Sequence, residues 1–213
     1  MSAFGPQAWW PADTPFEVMV GAILTQNTAW TNVEQAISNL KSAENFGPKG
    51  LLQMPDGKLA AAIRPSGYYN LKARRLKAFL EYFVGRYAGC PDRMQAVPVA
   101  RLRLELLDVK GVGPETADSI LLYALGKPTF VVDAYTRRIF SRLGLVGADV
   151  DYHDLQANFV RYLPQTAQIY NEYHALIVAL GKDVCRPKPS CNRCPLLEMC
   201  LWASKSERLK FEG

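Results

Sequence analysis

Apolar residues recur at helical spacing along most of the chain. Within residues 14–26 the apolar positions that share one helical face are Phe16, Met19, Val20, Ile23 and Leu24. The same spacing predicts further helices over residues 29–42, 70–87, 98–107, 114–125, 133–143, 152–162 and 168–180. No segment alternates as a β-strand does, and glycines and prolines fall in connectors such as 64–70 and 124–133. The pattern therefore predicts an all-α fold.

Length and charge narrow this picture only slightly. The 213 residues suffice for one large domain or two small ones. No apolar run approaches the roughly 18 residues of a membrane span, and the amino terminus lacks the basic and apolar regions of a secretory signal. We therefore expect a cytoplasmic protein that does not enter a membrane. A net charge of +5 and a pI of 8.9 weakly favour a polyanionic partner.

The stretch "LDVKGVGPETADSI" at 107–120 contains the first candidate site. Gly111 and Gly113 flank Val112, and a proline then opens the helix over 114–125. With the helix over 98–107 before it, this is the pattern of a helix-hairpin-helix, whose backbone amides and helix dipole bind a DNA phosphate without reading sequence. A plain turn between two helices is the alternative.

Asp133 is the second candidate, because it follows a short apolar run and precedes a predicted helix. A structural helix cap is the simple interpretation of such an aspartate. A carboxylate next to a phosphate-binding hairpin could also stabilise a cationic sugar in a transition state. Arg137 and Arg138, one turn later, could contact a phosphate or be solvated.

Four of the five cysteines lie within 16 residues, at Cys185, Cys191, Cys194 and Cys200. Zinc sites usually combine two close pairs, whereas this pattern has one CxxC pair with wider spacings on both sides. Four thiolates in one short basic loop suit a [4Fe-4S] cluster, and zinc remains the alternative. Cys90 stands apart and is predicted to be a small core residue.

Three of the four tryptophans lie near the amino terminus. Trp9 and Trp10 precede Pro11, and Trp30 follows "LTQNTA". They could pack in the core, as tryptophans usually do, or stack on a nucleobase extruded from DNA.

Together these segments resemble the helix-hairpin-helix superfamily of DNA glycosylases, in its endonuclease III branch. The resemblance rests on "GAILTQNT", "SGYYNLKARRL", "LDVKGVGPETAD", "VVDAYTRRIFSRLG" and the four cysteines, and it covers essentially the whole chain. It implies two domains with a DNA cleft between them: a six-helix barrel over 16–130, with the helix-hairpin-helix at 98–125, and an iron–sulfur cluster domain formed by 1–15 and 131–213. Asp133 matches the family's essential carboxylate. The first gap between cysteines is five residues, where six is usual in endonuclease III.

Within this branch the sequence is most similar to the bacterial 3-methyladenine glycosylases of the third type. That resemblance implies a base pocket built from Trp9, Trp10, Pro11 and Trp30, with indoles above and below a cationic base. Some members of the subgroup lack the cluster, whereas all four cysteines are present here. The resemblance further implies that Gln26 fills the space left by an extruded nucleotide and that Tyr68 wedges beside the opposite base. The remaining DNA contacts that it implies are Gly111, Val112, Gly113, Thr116 and Arg137.

Glu115 occupies the position at which bifunctional members of the family carry a nucleophilic lysine. A carboxylate cannot form the Schiff base on which strand cleavage depends. The sequence therefore predicts a monofunctional, monomeric, nucleoid-associated glycosylase that acts on alkylated purines in duplex DNA, with Asp133 activating water. The alternatives are an endonuclease III-type glycosylase and lyase for oxidised pyrimidines, a non-catalytic iron–sulfur protein that binds DNA damage, and a zinc-ribbon-like module that binds a partner.

Overall fold

A computed structural model describes residues 3–7, 9–43 and 46–204, and this part of the chain is helical with no β-strand. The all-α prediction is confirmed. The chain divides into two compact units, one formed by Trp10–Pro128 and the other by Thr129–Gly213 together with Met1–Trp9. We call them the 10–128 unit and the 129–213 unit. Within the described residues, no helix is long and apolar enough to span a membrane.

The 10–128 unit contains eight α-helices in its described residues. They are α1 (Pro15–Leu24), α2 (Trp30–Ser42), α3 (Pro48–Gln53), α4 (Asp56–Ala62), α5 (Tyr69–Tyr87), α6 (Pro91–Gln95), α7 (Val99–Leu107) and α8 (Pro114–Ser119). The core is formed by apolar faces from all of them, with the phenylalanines of α5 at its centre. α1 starts as the sequence predicts, with Pro15 in its first turn and the Thr14 side chain accepting a hydrogen bond from the Glu17 N–H.

The helical periodicity predicted the long helices but missed α3, α4 and α6. These helices have only five to seven residues. A segment of that length spans fewer than two turns and cannot show a repeating apolar face. Cys90, predicted to be a core residue, is instead a half-buried residue at the start of α6.

The helix expected over 114–125 changes its geometry halfway. After α8 the chain forms one π-helical turn over Ile120–Ala124. Such turns insert an extra residue into a helix and are frequent at functional sites. Here the turn places Tyr123 beside the ring of Trp10, with their centroids 5.1 Å apart.

The 129–213 unit contains α9 (Ala134–Leu143), α10 (Tyr152–Tyr162) and α11 (Ala167–Asp183), followed by two short 3₁₀ turns in the cysteine region. α9 and α11 pack closely, because Gly181 leaves room for the Tyr135 ring on the backbone of α11: a Cβ atom there would lie 2.4 Å from that ring. The stacked rings of Phe130 and Phe159 join α10 to the segment before α9. Asp133 lies at the amino-terminal end of α9, so this packing fixes the carboxylate.

Candidate functional site

The hairpin between α7 and α8 depends on Gly111. Its φ of +91° is in the left-handed region, and a Cβ atom there would lie 2.3 Å from the Cγ of Arg75. Gly113 has an ordinary φ of −97° and open space around it, so only the first glycine is required by the local geometry. Val112 buries its side chain in the core, which leaves only its backbone for a ligand.

Gln26 is held against this hairpin. Its side-chain Nε2 donates to the Gly111 carbonyl at 3.1 Å and to the Thr116 hydroxyl at 2.9 Å, and its Oε1 accepts from Arg75. Thr116 is itself buried. Any movement of the Gln26 side chain away from the hairpin would break these three hydrogen bonds.

The position expected to carry a nucleophilic lysine is occupied by an exposed carboxylate. Glu115 lies in the first turn of α8, where a negative charge interacts favourably with the helix dipole. Lys127, twelve residues later in the sequence, donates to the carbonyls of Gln95 and Val97 at 2.8 and 2.6 Å, so its ammonium group is bound at the end of α6.

The aromatic residues of the predicted base pocket pack differently from the expected sandwich. Trp10 and Trp30 meet edge to face, with centroids 4.9 Å apart and planes at 89°, so no base fits between them. Both indoles lie over Gly21 of α1, where a Cβ atom would lie 3.4 Å from Trp10 and 3.5 Å from Trp30. Tyr123 is a third aromatic neighbour, with its ring centroid 5.1 Å from that of Trp10. Trp9 is half-buried and belongs to the other unit.

Pro11 and Trp30 also line an open groove of about 420 Å³. Its other walls carry Glu17 and Glu34, and the Trp30 indole N–H donates to the Glu34 carboxylate at 2.9 Å. Lys41 neutralises the buried Glu17 carboxylate at 2.6 Å. The groove beside Trp30 is therefore polar as well as aromatic.

Asp133 is both a helix cap and a largely buried anion. Its Oδ1 accepts from the Thr136 backbone N–H at 2.7 Å and from the Thr136 hydroxyl at 2.8 Å, while the Asp133 N–H donates back to that hydroxyl. The capping box uses Oδ1, whereas Oδ2 faces the Nε2 atom of His174 at 3.6 Å. The cap predicted from the sequence thus accounts for one carboxylate oxygen only.

The surroundings of Asp133 keep it ionised. Burial raises the pKa of its carboxyl group, but His174 and the hydrogen bonds from Thr136 outweigh burial, so the pKa lies below its usual value. His174 is buried on α11, seven residues after the helix begins at Ala167, and nothing in the local sequence marks it as a neighbour of Asp133. It is the main residue near this carboxylate that sequence analysis missed.

The two arginines after Asp133 differ in their surroundings. Arg137 is partly exposed on α9. Arg138, which the sequence left as a phosphate contact or a solvated residue, has neither role: its guanidinium donates to the carbonyls of Cys185 and Gly181 at 2.8 and 3.0 Å. It therefore ties α9 to the cysteine segment.

The four cysteines of that segment line one cavity, together with Arg142, Trp202 and apolar side chains. Arg142 donates to the Cys185 Sγ at 3.3 Å and to the carbonyls of Arg186 and Pro187, and its guanidinium lies 4.9 Å from the Trp202 ring. Burial raises the pKa of Cys191, and the other three thiols raise it further. Ionisation of all four thiols within one cavity would therefore require a bound cation. Among the described residues, however, no three Cys, His, Asp or Glu side chains surround a position for one metal ion.

Comparison with known proteins agrees with this arrangement. A model of the HhH-GPD superfamily of base excision DNA repair proteins matches residues 20–173. The chain is 50% identical over 199 residues to a Methanocaldococcus jannaschii protein provisionally named a DNA repair glycosylase, an alignment that covers 93% of this chain and 90% of that protein.

Two solved structures are similar over most of the chain. An endonuclease III–DNA complex matches with a TM-score of 0.80 at 26% identity, covering 92% of this chain and 87% of that one. The 3-methyladenine DNA glycosylase of H. pylori, bound to 1,N6-ethenoadenine, matches with a TM-score of 0.73 at 34% identity, covering 84% and 90%. With the family model spanning most of its length, the chain belongs to the HhH-GPD superfamily of base excision DNA repair proteins.

Proposed function

We propose that this protein is a monofunctional DNA glycosylase that hydrolyses the N-glycosidic bond of alkylated purines in duplex DNA. The observation that carries the proposal is Asp133, a largely buried carboxylate that the fold holds ionised and orients through one oxygen. Groups of this kind stabilise charge that develops in a transition state, because they need no reorganisation when the reaction occurs.

The proposed reaction begins with departure of the base, which leaves positive charge on the deoxyribose. Asp133 stabilises that cation and positions or activates the water that adds to it. A purine alkylated at N3 or N7 already carries positive charge and leaves as a neutral base, so little general-acid help is needed. The products are the free base and an intact abasic site.

Two features support hydrolysis without strand cleavage. Glu115 stands where the resemblance expects a lysine nucleophile, and a carboxylate cannot form the imine. Lys127 is held by two backbone carbonyls and is not available as a substitute.

Three features favour an alkylated purine as the substrate. Trp10, Trp30 and Tyr123 form one aromatic cluster, and an exposed ring face attracts a cationic base by about 0.5–2 kcal/mol. The Glu34 carboxylate lies in the groove beside Trp30. The H. pylori relative is named as a 3-methyladenine glycosylase and is bound to a modified adenine.

Duplex DNA containing a damaged base is the partner that fits the remaining features. In the proposed complex, the backbone amides of the hairpin at Gly111–Gly113 hold a phosphate, and Arg137 contacts the backbone of the DNA. Tyr68 is 73% exposed on a turn and would wedge beside the opposite base. The similar endonuclease III structure is a complex with DNA, which supports this partner.

We further propose that Cys185, Cys191, Cys194 and Cys200 hold a [4Fe-4S] cluster. The four thiols line one cavity, and four cysteine thiolates are the usual ligands of such a cluster. The cluster would close a loop that has few apolar contacts of its own. Metal analysis of protein prepared without oxygen should give about four irons per chain, and stoichiometric zinc would contradict the proposal.

Base release from two DNAs tests the function directly. Duplex DNA treated with a methylating agent should yield free methylated purines, whereas DNA containing an oxidised pyrimidine should yield little free base. The reverse preference would support the endonuclease III-type alternative. Binding to both DNAs without any base release would support a non-catalytic damage-binding protein.

A further inference from the structure

Lys72 of α5 is a charged side chain buried in the 10–128 unit. It is 1% exposed, and its Nζ donates to the carbonyl of Leu24 at 2.8 Å and to that of Ser66 at 2.6 Å. Burial, with help from Arg75, lowers the pKa of Lys72 to about 8. Lysine is almost never fully buried, because removing its charge from water is costly. A buried lysine bonded to two carbonyls therefore needs an explanation.

The two carbonyls belong to separate segments, each just before a turn with unusual backbone geometry. Leu24 ends α1, and Asn27 three residues later has a φ of +53°. Ser66 ends a 3₁₀ turn, and Tyr68 two residues later has a φ of +44°. Residues other than glycine rarely adopt such values, and they persist only where the surrounding structure enforces them.

These turns carry the two side chains proposed to enter DNA. Gln26 lies between Leu24 and Asn27, and Tyr68 follows Ser66 directly. A Tyr68 side chain that is 73% exposed makes few contacts that could fix its own turn. The ammonium group of Lys72 is therefore a single point that holds the starts of both turns at a fixed separation.

A lowered lysine pKa is also typical of an amine nucleophile, but the geometry excludes that role here. The nitrogen is enclosed and bonded to two carbonyls, so it has no path to a sugar carbon. The capping of a helix end does not by itself explain why Lys72 is fully buried. Lys77 caps α3 from the same helix, through the carbonyls of Leu52 and Met54, while it remains partly exposed.

We propose that Lys72 is a positioning residue that fixes the Gln26 and Tyr68 turns relative to each other, so that both side chains enter the DNA at one extruded nucleotide. The inference rests on the proposed function, in which these two residues contact DNA. Without this link, the hairpin would still bind phosphate, but the protein would recognise a disrupted base pair less well than it does now.

The test compares Lys72→Met with Lys77→Met. Both variants remove an ammonium group of α5 that bonds two carbonyls, and methionine keeps much of the side-chain volume. The readout is the ratio of dissociation constants for intact duplex and for the same duplex with an abasic-site analogue. Lys72→Met should reduce this ratio about 10-fold, the loss expected for charge-assisted hydrogen bonds, while Lys77→Met should leave it unchanged. Thermal melting shows that each variant is folded at the assay temperature.

A base analogue reports insertion directly. With 2-aminopurine opposite the abasic analogue, the wild-type protein should increase the fluorescence by unstacking the base, and Lys72→Met should not. Lys72→Gln keeps an uncharged N–H donor group on a shorter side chain and should give an intermediate ratio. It also serves as the test variant if the methionine variant does not fold. A folded Lys72 variant with the wild-type ratio and fluorescence would overturn the proposal, as would equal losses in Lys77→Met.

Failure of this inference can be separated from failure of the proposed function. The binding and fluorescence measurements need no base release, so they test Lys72 even if the protein excises no alkylated purine. If the wild-type protein itself does not prefer the abasic analogue, the DNA contacts of Gln26 and Tyr68 are wrong, and the inference is wrong with them. If it shows that preference but Lys72→Met retains it, only the inference is wrong.

Discussion

Asparagine can replace Asp133 as a helix cap but not as an anion, and this difference separates the two roles of its carboxyl group. Asp133→Asn should keep the helix cap, because aspartate and asparagine cap helices about equally well. Its free energy of unfolding should lose only the interaction between the charged carboxylate and His174. Base release should fall at least about 100-fold, because the cation in the transition state loses its counter-charge. Single-turnover kinetics on methylated DNA, with thermal melting, measure both effects.

The matching control is Asp133→Ala, which removes cap and charge together. It should lose the same activity and about 1 kcal/mol of stability in addition. DNA binding by Asp133→Asn should remain, since the hairpin amides are intact. Base release at the wild-type rate by the asparagine variant would exclude Asp133 as the catalytic centre.

Gly21 sets the space available to two indoles. Glycine within a helix costs about 1 kcal/mol relative to alanine, and Gly21→Ala adds a Cβ at ordinary contact distance, so this variant should be as stable as the wild type or more so. Gly21→Val adds branches that press on Trp10 and Trp30. It should cost about 1–3 kcal/mol and shift tryptophan fluorescence.

The rate of base release should fall in Gly21→Val and stay close to the wild-type rate in Gly21→Ala. Gly85→Ala is the control for helix propensity, because this glycine of α5 has open space around it. Unchanged fluorescence and activity in Gly21→Val would show that the indole positions do not depend on this glycine.

Single residues show where sequence analysis reached its limit. The cap at Asp133 and the turn at Gly111 were predictable, because local sequence determines both. Lys72, Tyr123 and His174 were not, because their roles depend on residues far away in the chain. A lysine is assigned to the surface by default, and only the fold shows that Lys72 is enclosed by carbonyls.

Elements were predicted as far as their length allowed. The longer helices, such as α5 and α11, were found because several turns repeat one apolar face. The π turn after α8 changes the register by one residue without changing the composition, so the apolar pattern did not reveal it. The edge-to-face contact of Trp10 with Trp30 could likewise not be predicted, because a sequence motif identifies aromatic residues but not the angle between their rings.

The helix α9 connects the carboxylate to the cysteine segment. Asp133 caps its start, and Arg138 and Arg142 bond the carbonyls of the segment from its middle and end. Cys194→Ser should therefore mainly raise hydrogen exchange in residues 182–204, with α9 affected next through the two arginines. Exchange measured by mass spectrometry, with Cys90→Ser as control, checks this. Protection unchanged in 182–204 would show that the loop is stable without its ligand set.

The stability of the whole molecule should depend on pH through Lys72. Its pKa is about 8 in the folded protein and 10.5 in the unfolded chain. Between these values the unfolded chain holds a proton that the folded protein has lost, so rising pH favours folding. The stabilisation of the fold that comes from an uncharged Lys72 is complete above pH 10.5 and is lost as the pH falls towards 8.

The corresponding measurement is the difference in unfolding free energy between the wild type and Lys72→Met from pH 7 to 10. Above pH 8, the free energy of unfolding of the wild type should rise relative to that of the variant by up to about 1.4 kcal/mol per pH unit, because one proton is coupled to unfolding. The free energy of unfolding of Lys77→Met should show the same pH dependence as that of the wild type. Parallel curves for the wild type and Lys72→Met would show that Lys72 is solvated and charged in the folded protein.

Borohydride trapping decides what reaction the molecule performs as a whole. A bifunctional glycosylase forms an imine with the sugar, and reduction converts it to a stable protein–DNA adduct. If Glu115 replaces the nucleophilic lysine, as we propose, the wild type should release base from methylated DNA and leave no adduct. Glu115→Lys places an amine at the start of α8 and should yield some adduct and strand cleavage if that amine reaches the anomeric carbon.

Glu115→Gln is the control for loss of the charge alone and should yield neither a protein–DNA adduct nor strand cleavage. Efficient trapping by the wild type would mean that another amine serves as nucleophile, and the protein would then belong with the lyases of its family.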